Sequence, residues 1–271
     1  MVERLFAWYD RHGRSFPWRQ TSDPWAILVS EVMSQQTQID RIVGRYLAFL
    51  DQFPDPDTLA AASAGDVLAA WSGLGYNRRA LHLQAAARVV ATSGWPTTAR
   101  ELQTLPGVGP YTAAAVACFA FGEQIPAIDT NLKRVLSRWV GQPLDGQALA
   151  ETARTSLPDG EAVRWNSAIM DLGAQVCKPV PRCDRCPVAQ DCLDPTVYVP
   201  PPRQSRFDGS VRQTRGAIVR VMLDGETRTL DALSVHLGHD EARISSALTA
   251  LTAEGVLQAT AGGFALADKR S

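Results

Sequence analysis

Residues 105–131 read LPGVGPYTAAAVACFAFGEQIPAIDTN: a glycine turn, an alanine-rich helical run, and an aspartate in an Ile-Asp-Thr-Asn setting. In the turn, Gly107 and Gly109 permit positive φ angles and close backbone approach, and Pro110 suits the first turn of a helix. The run from Tyr111 to Phe121 predicts that helix, and Gly122 its end. Unpaired N–H groups at its start, together with the helix dipole, predict a seat for one phosphate oxygen. Contacts of this kind read no base edge.

Outward from this stretch, apolar residues recur at helical spacing throughout residues 1–175, and alternating β-branched runs are nearly absent. The first two-thirds of the chain therefore predict an all-α fold. Asp23-Pro24 is an N-cap followed by proline at the first helical position, opening a helix through Trp25, Leu28 and Glu31 toward Gln35. Gly73-Leu74-Gly75-Tyr76 repeats the Gly-x-Gly spacing of the opening stretch.

Proline density over residues 194–209 predicts a semi-rigid linker. Beyond it, helices are expected over 211–223, 230–237 and 240–254, with Ile244, Leu248 and Leu251 on one face of the third. A hairpin with a Gly-Gly turn is expected over 256–266. Three helices and a hairpin make residues 210–271 resemble a winged helix, whose third helix can enter a major groove. Basic residues are few there, chiefly Arg243, so a structural or protein-contact role fits equally well.

The 271 residues carry a formal net charge of -1 and a pI near 6.4, which excludes a broadly basic nucleic-acid binder. Only local basic clusters such as Arg78-Arg79 and Lys133-Arg134 could bind nucleic acid. The N-terminus has no signal-peptide core, and the longest apolar run, Ala113 to Phe121, is too short to span a bilayer. A cytoplasmic protein without membrane partners is expected, nucleoid-associated in a bacterium.

Cys177, Cys183, Cys186 and Cys192 form C-x5-C-x2-C-x5-C. Disulfides do not suit a cytosolic chain, whereas zinc and a 4Fe–4S cluster both take four cysteine sulfurs. Zinc sites usually present two C-x2-C knuckles, and this array has one. Cys118 reads as a packing residue.

Two carboxylates stand out. Cleaving an N-glycosidic bond puts positive charge on the sugar and negative charge on the departing base, which calls for an acid at one and a carboxylate at the other. Glu31 and Asp129 are the candidates. Alone, Glu31 reads as a solvated helix residue and Asp129 as the N-cap of a helix over 131–140.

Val29-Ser-Glu31-Val-Met-Ser-Gln-Gln-Thr37, Leu105-Pro-Gly-Val-Gly-Pro-Tyr-Thr112, Ile128-Asp-Thr-Asn131 and the four cysteines, taken together, resemble the adenine DNA glycosylase branch of the helix-hairpin-helix DNA glycosylase superfamily. The resemblance covers roughly residues 1–193. It implies a six-helix module over about 22–130 and a cluster module from 1–21 plus 131–193, carrying a 4Fe–4S cluster rather than zinc. It implies a monomeric enzyme of base excision repair that binds double-stranded DNA with a mismatch or damaged base, flips the target nucleotide and hydrolyses its glycosidic bond.

By that resemblance Glu31 is the general acid and Asp129 the sugar-side carboxylate. Trp18, Arg19, Ser34, Tyr111 and Ser167 border the base pocket. Gln36 and Thr37 fill or border the gap left in the stack, Leu74 and Tyr76 wedge beside the opposite base, and Arg78, Gly107, Gly109 and Asn131 contact DNA. Tyr111 stands where bifunctional relatives carry a Schiff-base lysine, which implies a monofunctional enzyme. Adenine opposite 8-oxoguanine is the expected substrate.

The sequence also departs from the family. Ser34 replaces a usual leucine and Ser167 a usual glutamine or glutamate, which would make the base pocket wetter and opens hypoxanthine, uracil or thymine as alternative bases. Asn77 replaces a common second tyrosine, and the first cysteine spacing is five where six is usual. About 80 residues follow Cys192, too few for the Nudix-like domain that reads 8-oxoguanine in longer relatives. A non-catalytic lesion-binding protein is the alternative from another class.

Overall fold

The structure is a computed structural model and describes residues 1–37, 39–197 and 209–267. Most of the linker expected at 194–209 lies outside those residues. Fourteen α-helices among the described residues precede one small hairpin, and no helix there is long and apolar enough to cross a membrane. Packing divides the chain into two compact units.

The first unit takes in Met1–Glu31, Pro96–Thr104 and Val108–Pro202. Its helices are α1 (Val2–His12), the start of α2 (Pro24–Ser34), and the short α7 (Ala99–Leu102). They also include α8 (Pro110–Phe121), α9 (Thr130–Trp139), α10 (Gly146–Ser156) and α11 (Ala162–Gln175). Asp23 caps α2, its Oδ1 accepting from Trp25 N at 3.0 Å. The core gathers Leu5, Trp8, Leu132, Leu136, Trp139, Trp165, Ile169 and Leu172 from α1, α9 and α11. Helix α8 is apolar all round and buried from Thr112 to Cys118, as a helix enclosed by its neighbours must be. Cys118 is fully buried within it.

The second unit takes in Val32–Trp95, Leu105–Gly107 and Arg203–Ser271. It holds α3 (Val43–Gln52), α4 (Pro56–Ala61), α5 (Ala64–Ala70) and α6 (Arg78–Ser93). The buried Trp71 meets Phe49 edge-on at 5.8 Å, and the buried Gln84 amide ties α6 to the carbonyls of Leu59 and Ala62 at 3.2 and 2.7 Å.

The same unit holds the C-terminal helices α12 (Val211–Met222), α13 (Leu230–Leu237) and α14 (Glu241–Ala253), and strands β1 (Leu257–Thr260) and β2 (Gly263–Leu266). The strands pair antiparallel with Thr260 opposite Gly263, so the turn is Ala261-Gly262 and not the glycine pair expected. Gly263 belongs to the strand, where its φ of +131° and the carbonyl of Arg228 against it exclude a side chain. Arg243 is turned inward, its Nε donating to Thr214 Oγ1 at 2.5 Å and its Nη2 to Ser210 O at 3.1 Å.

Candidate active site

Helix α2 delivers Glu31, the start of α8 delivers Tyr111, and the N-cap of α9 is Asp129. Asp129 does serve as that cap: its Oδ1 accepts from Leu132 N at 2.7 Å, while its Oδ2 accepts from Asn131 Nδ2 at 2.7 Å. Capping fixes the carboxylate without consuming it, since a carboxylate offers about four acceptor positions.

Glu31 is buried, and burial pushes its carboxyl up to about 7. The Tyr111 hydroxyl, hydrogen-bonded to Glu31, and the Arg19 cation oppose that rise, whereas the Asp129 charge adds to it. Burial likewise raises Asp129 above the usual carboxylate range, against the N–H donors of Leu132 and Asn131 and the charge of Arg134. Burial and the two carboxylates hold the Tyr111 hydroxyl far up the scale, so it stays a donor. Glu31 can thus hold a proton near neutral pH, while the N–H donors of Leu132 and Asn131 and the Arg134 cation favour the ionised form of Asp129.

Arg19 is held by Asp171, a fully buried carboxylate on α11. Arg19 Nη1 lies 2.8 Å from Asp171 Oδ2 and Nη2 lies 3.0 Å from Oδ1. Arg14 adds its backbone N–H at 2.7 Å and its Nε at 2.8 Å. Burial would raise Asp171, but these donors, with Arg19 foremost, hold it below the ordinary range. Two cations sharing one carboxylate leave the site less positive than the arginine count suggests.

Behind Asp129 stands a third arginine. Arg134 donates its Nη2 to Asn131 Oδ1 and to Gly173 O, both at 2.8 Å, and its Nε to Cys177 O at 2.6 Å. Gly173 is needed there because a Cβ would lie 2.6 Å from that of Asn131. Asp171 and Arg14 carry no signal in the sequence reading, and Arg134, there part of a local basic cluster, is buried with its donors turned inward.

The remaining expected residues take varied positions. Trp18 stacks on Phe16 with centroids 4.9 Å apart, and Ser167 is buried on α11. Its neighbour Asn166, also buried, accepts from Ala127 N at 2.8 Å and donates to the carbonyls of Ile125 and Ala162, fixing the segment ahead of Asp129. Gly109 has an ordinary φ of -86° and open space where a Cβ would stand, so nothing within the chain demands a glycine there.

In the second unit, Ser34 ends α2 half-buried, Gln36 is exposed, Thr37 is half-buried and Arg78 is exposed with its Nε 3.1 Å from His82 Nε2. Leu74 is buried and Tyr76 exposed, so of this pair the tyrosine is the one presented. Gly107 has φ +77° and His82 Cβ 2.6 Å from where a Cβ would sit, which answers for the glycine.

The four cysteines line one pocket of about 450 Å³, including its open mouth, together with Arg138, Leu172 and Val176. Burial, and then the nearby thiols, push Cys186 up to about 11. Arg138 Nη1 lies 3.2 Å from Cys177 Sγ. Four thiols around one apolar pocket fit a group bound through four sulfurs.

The sequence model of the HhH-GPD superfamily base excision DNA repair proteins matches residues 29–156. A solved thermostable thymine-DNA glycosylase superposes with a TM-score of 0.68 at 31% identity, over 71% of this chain and 93% of that one. With the carboxylate pair above, these matches define a helix-hairpin-helix DNA N-glycosylase of base excision repair. Adenine DNA glycosylases of Mycolicibacterium smegmatis and Mycobacterium tuberculosis are each 39% identical over 97% of this chain, and over 94% and 92% of their own lengths. The chain belongs to the adenine DNA glycosylase family.

Proposed function

We propose that this enzyme hydrolyses the bond between deoxyribose and adenine, with 8-oxoguanine as the opposite base. The observation that carries the reading is the buried pair of unlike carboxylates: Glu31 raised to about 7 beside the capped Asp129. Glu31 gives its proton to a ring nitrogen of the flipped base as the glycosidic bond breaks and its electron pair leaves with the base. Asp129 stabilises the positive charge at C1′. A water oxygen then bonds C1′ and sheds its proton, leaving an abasic site. Tyr111 donates to Glu31 and supplies no amine, so no Schiff base forms there.

The end-to-end similarity to adenine DNA glycosylases supports adenine as the base. A second reading, uracil or thymine opposite guanine, is favoured by the thymine-DNA glycosylase neighbour and by the short hydroxyls at Ser34 and Ser167. A panel of duplexes, each with a single lesion or mismatch and scored for alkali-labile sites, tests the choice. Fastest cleavage at adenine opposite 8-oxoguanine is expected. Cleavage of uracil or thymine mismatches without any at adenine refutes it, and borohydride trapping should leave no covalent complex.

For the cysteine pocket we favour a 4Fe–4S cluster, held by Cys177, Cys183, Cys186 and Cys192, in a structural role. The four cysteines line one pocket, and their spacing, with one C-x2-C pair rather than two, suits a cluster better than one zinc ion. Purified protein should be brown and contain about four irons per chain; colourless protein with one zinc overturns the assignment.

A further inference from the structure

Arg79, at the second position of α6, donates to two loops at once. Its Nη1 reaches the carbonyls of Val32, Met33 and Gln35 at 2.6, 3.2 and 2.6 Å, the end of α2 and the loop beyond it. Its Nη2 reaches Thr37 Oγ1 at 3.2 Å and the carbonyls of Leu74 and Gly75 at 3.1 and 3.2 Å. The guanidinium lies 5.4 Å from the centroid of Trp71 and 5.5 Å from that of Tyr76. Burial lowers its pKa to about 10, which leaves it charged at neutral pH.

Each loop carries one strained residue. Among the described residues only Gln36, at φ +56°, and Tyr76, at φ +48°, are non-glycine residues with positive φ. Left-handed backbone in such residues persists only where the surroundings impose it. Both are exposed, and both flank the acceptors of Arg79. Capping a helix C-terminus would need the first three acceptors alone, whereas joining the two loops needs all six.

We propose that Arg79 is the positioning residue that locks the 34–37 and 73–76 loops into one preformed insertion element, presenting Gln36 and Tyr76 together. This rests on the reading that these two residues enter the DNA stack. Opening a base pair demands that the gap and the opposite base be held together, and a preformed element spares the ordering of each loop separately. The planar fork of arginine serves both loops, which the single ammonium of lysine cannot.

The test uses Arg79→Lys and Arg79→Met in the full chain, with the base that the wild type excises fastest. Single-turnover excision is measured from a paired duplex and from a duplex where that base already sits unstacked in a one-nucleotide bulge. A 2-aminopurine in the target position reports extrusion. Both variants should lose about tenfold or more on the paired duplex and less than about threefold on the bulge, with weaker 2-aminopurine fluorescence on binding.

Equal losses on both duplexes mean that Arg79 only supports the fold, and no loss on either means that the loops need no lock. Either result overturns the proposal. If Arg79→Met does not fold, the lysine variant decides. The underlying reading has its own check: Gln36→Ala and Tyr76→Ala that extrude 2-aminopurine as the wild type does would show that neither residue enters the stack, whatever Arg79 does.

Discussion

Asn131 Nδ2 lies 2.7 Å from Asp129 Oδ2, and the oxygen of the same amide accepts from Arg134 Nη2 at 2.8 Å. One side chain therefore joins the Asp129 carboxylate to an arginine that also holds the Cys177 carbonyl. A hydrogen bond to a charged group contributes about 1.5–3 kcal/mol. Asn131→Ala should slow single-turnover excision by about 10- to 100-fold. Losing a donor raises the carboxylate further, so the acid limb of the pH–rate profile should move to higher pH; an unmoved limb contradicts the coupling.

The raised pKa of Glu31 makes both the rate and the wild-type stability fall as pH rises. With Glu31 in its proposed role as the acid, the rate should fall as pH rises through about 7. Stability follows the same sign. The native state binds the proton more tightly than the unfolded chain, so the contribution is fully present below the unfolded value and lost as pH climbs from 4.5 to about 7. That amounts to about 3 kcal/mol at most. Glu31→Gln should abolish excision while lesion-duplex binding persists, and its melting temperature relative to wild type should be higher at pH 8 than at pH 5.

Removing the carboxylate of Asp171 strands two arginines. Breaking a buried ion pair by deleting one partner costs about 3–5 kcal/mol, and Asp171→Asn should lower the denaturation midpoint accordingly. It also leaves Arg19 uncompensated near Glu31, whose pKa that cation already lowers. The alkaline limb of the pH–rate profile should shift to lower pH. Loss of stability with an unchanged limb would confine Asp171 to the fold.

Arg243 provides a contrasting case, a basic residue on the third helix of the C-terminal region whose donors point inward. Arg243→Ala should destabilise the protein by about 1–3 kcal/mol through the lost bonds to Thr214 and Ser210. DNA affinity should keep its dependence on salt concentration, because no phosphate contact is removed. A shallower salt dependence in the variant would place this arginine on DNA.

Much of this was legible in the chain alone. Asp23-Pro24, Gly109-Pro110 and Gly122 mark helix ends through local chemistry, proline at a first turn and a left-handed glycine cap, and both helices run where expected. The order of Glu31, the glycine turn, Asp129 and the cysteines likewise lies within short motifs. The tertiary structure decided what those residues are chemically. Burial raises Glu31, a neighbouring carboxylate raises it further, and Asp171, some 150 residues distant in sequence from Arg19, takes up the charge that would otherwise lower it. Leu74 and Tyr76 are two residues apart, yet one is buried and the other exposed, with Arg79 Nη2 bonded to the carbonyls of Leu74 and Gly75. Desolvation and long-range pairing depend on the whole packed surroundings of a group, and no local pattern of residue types encodes them.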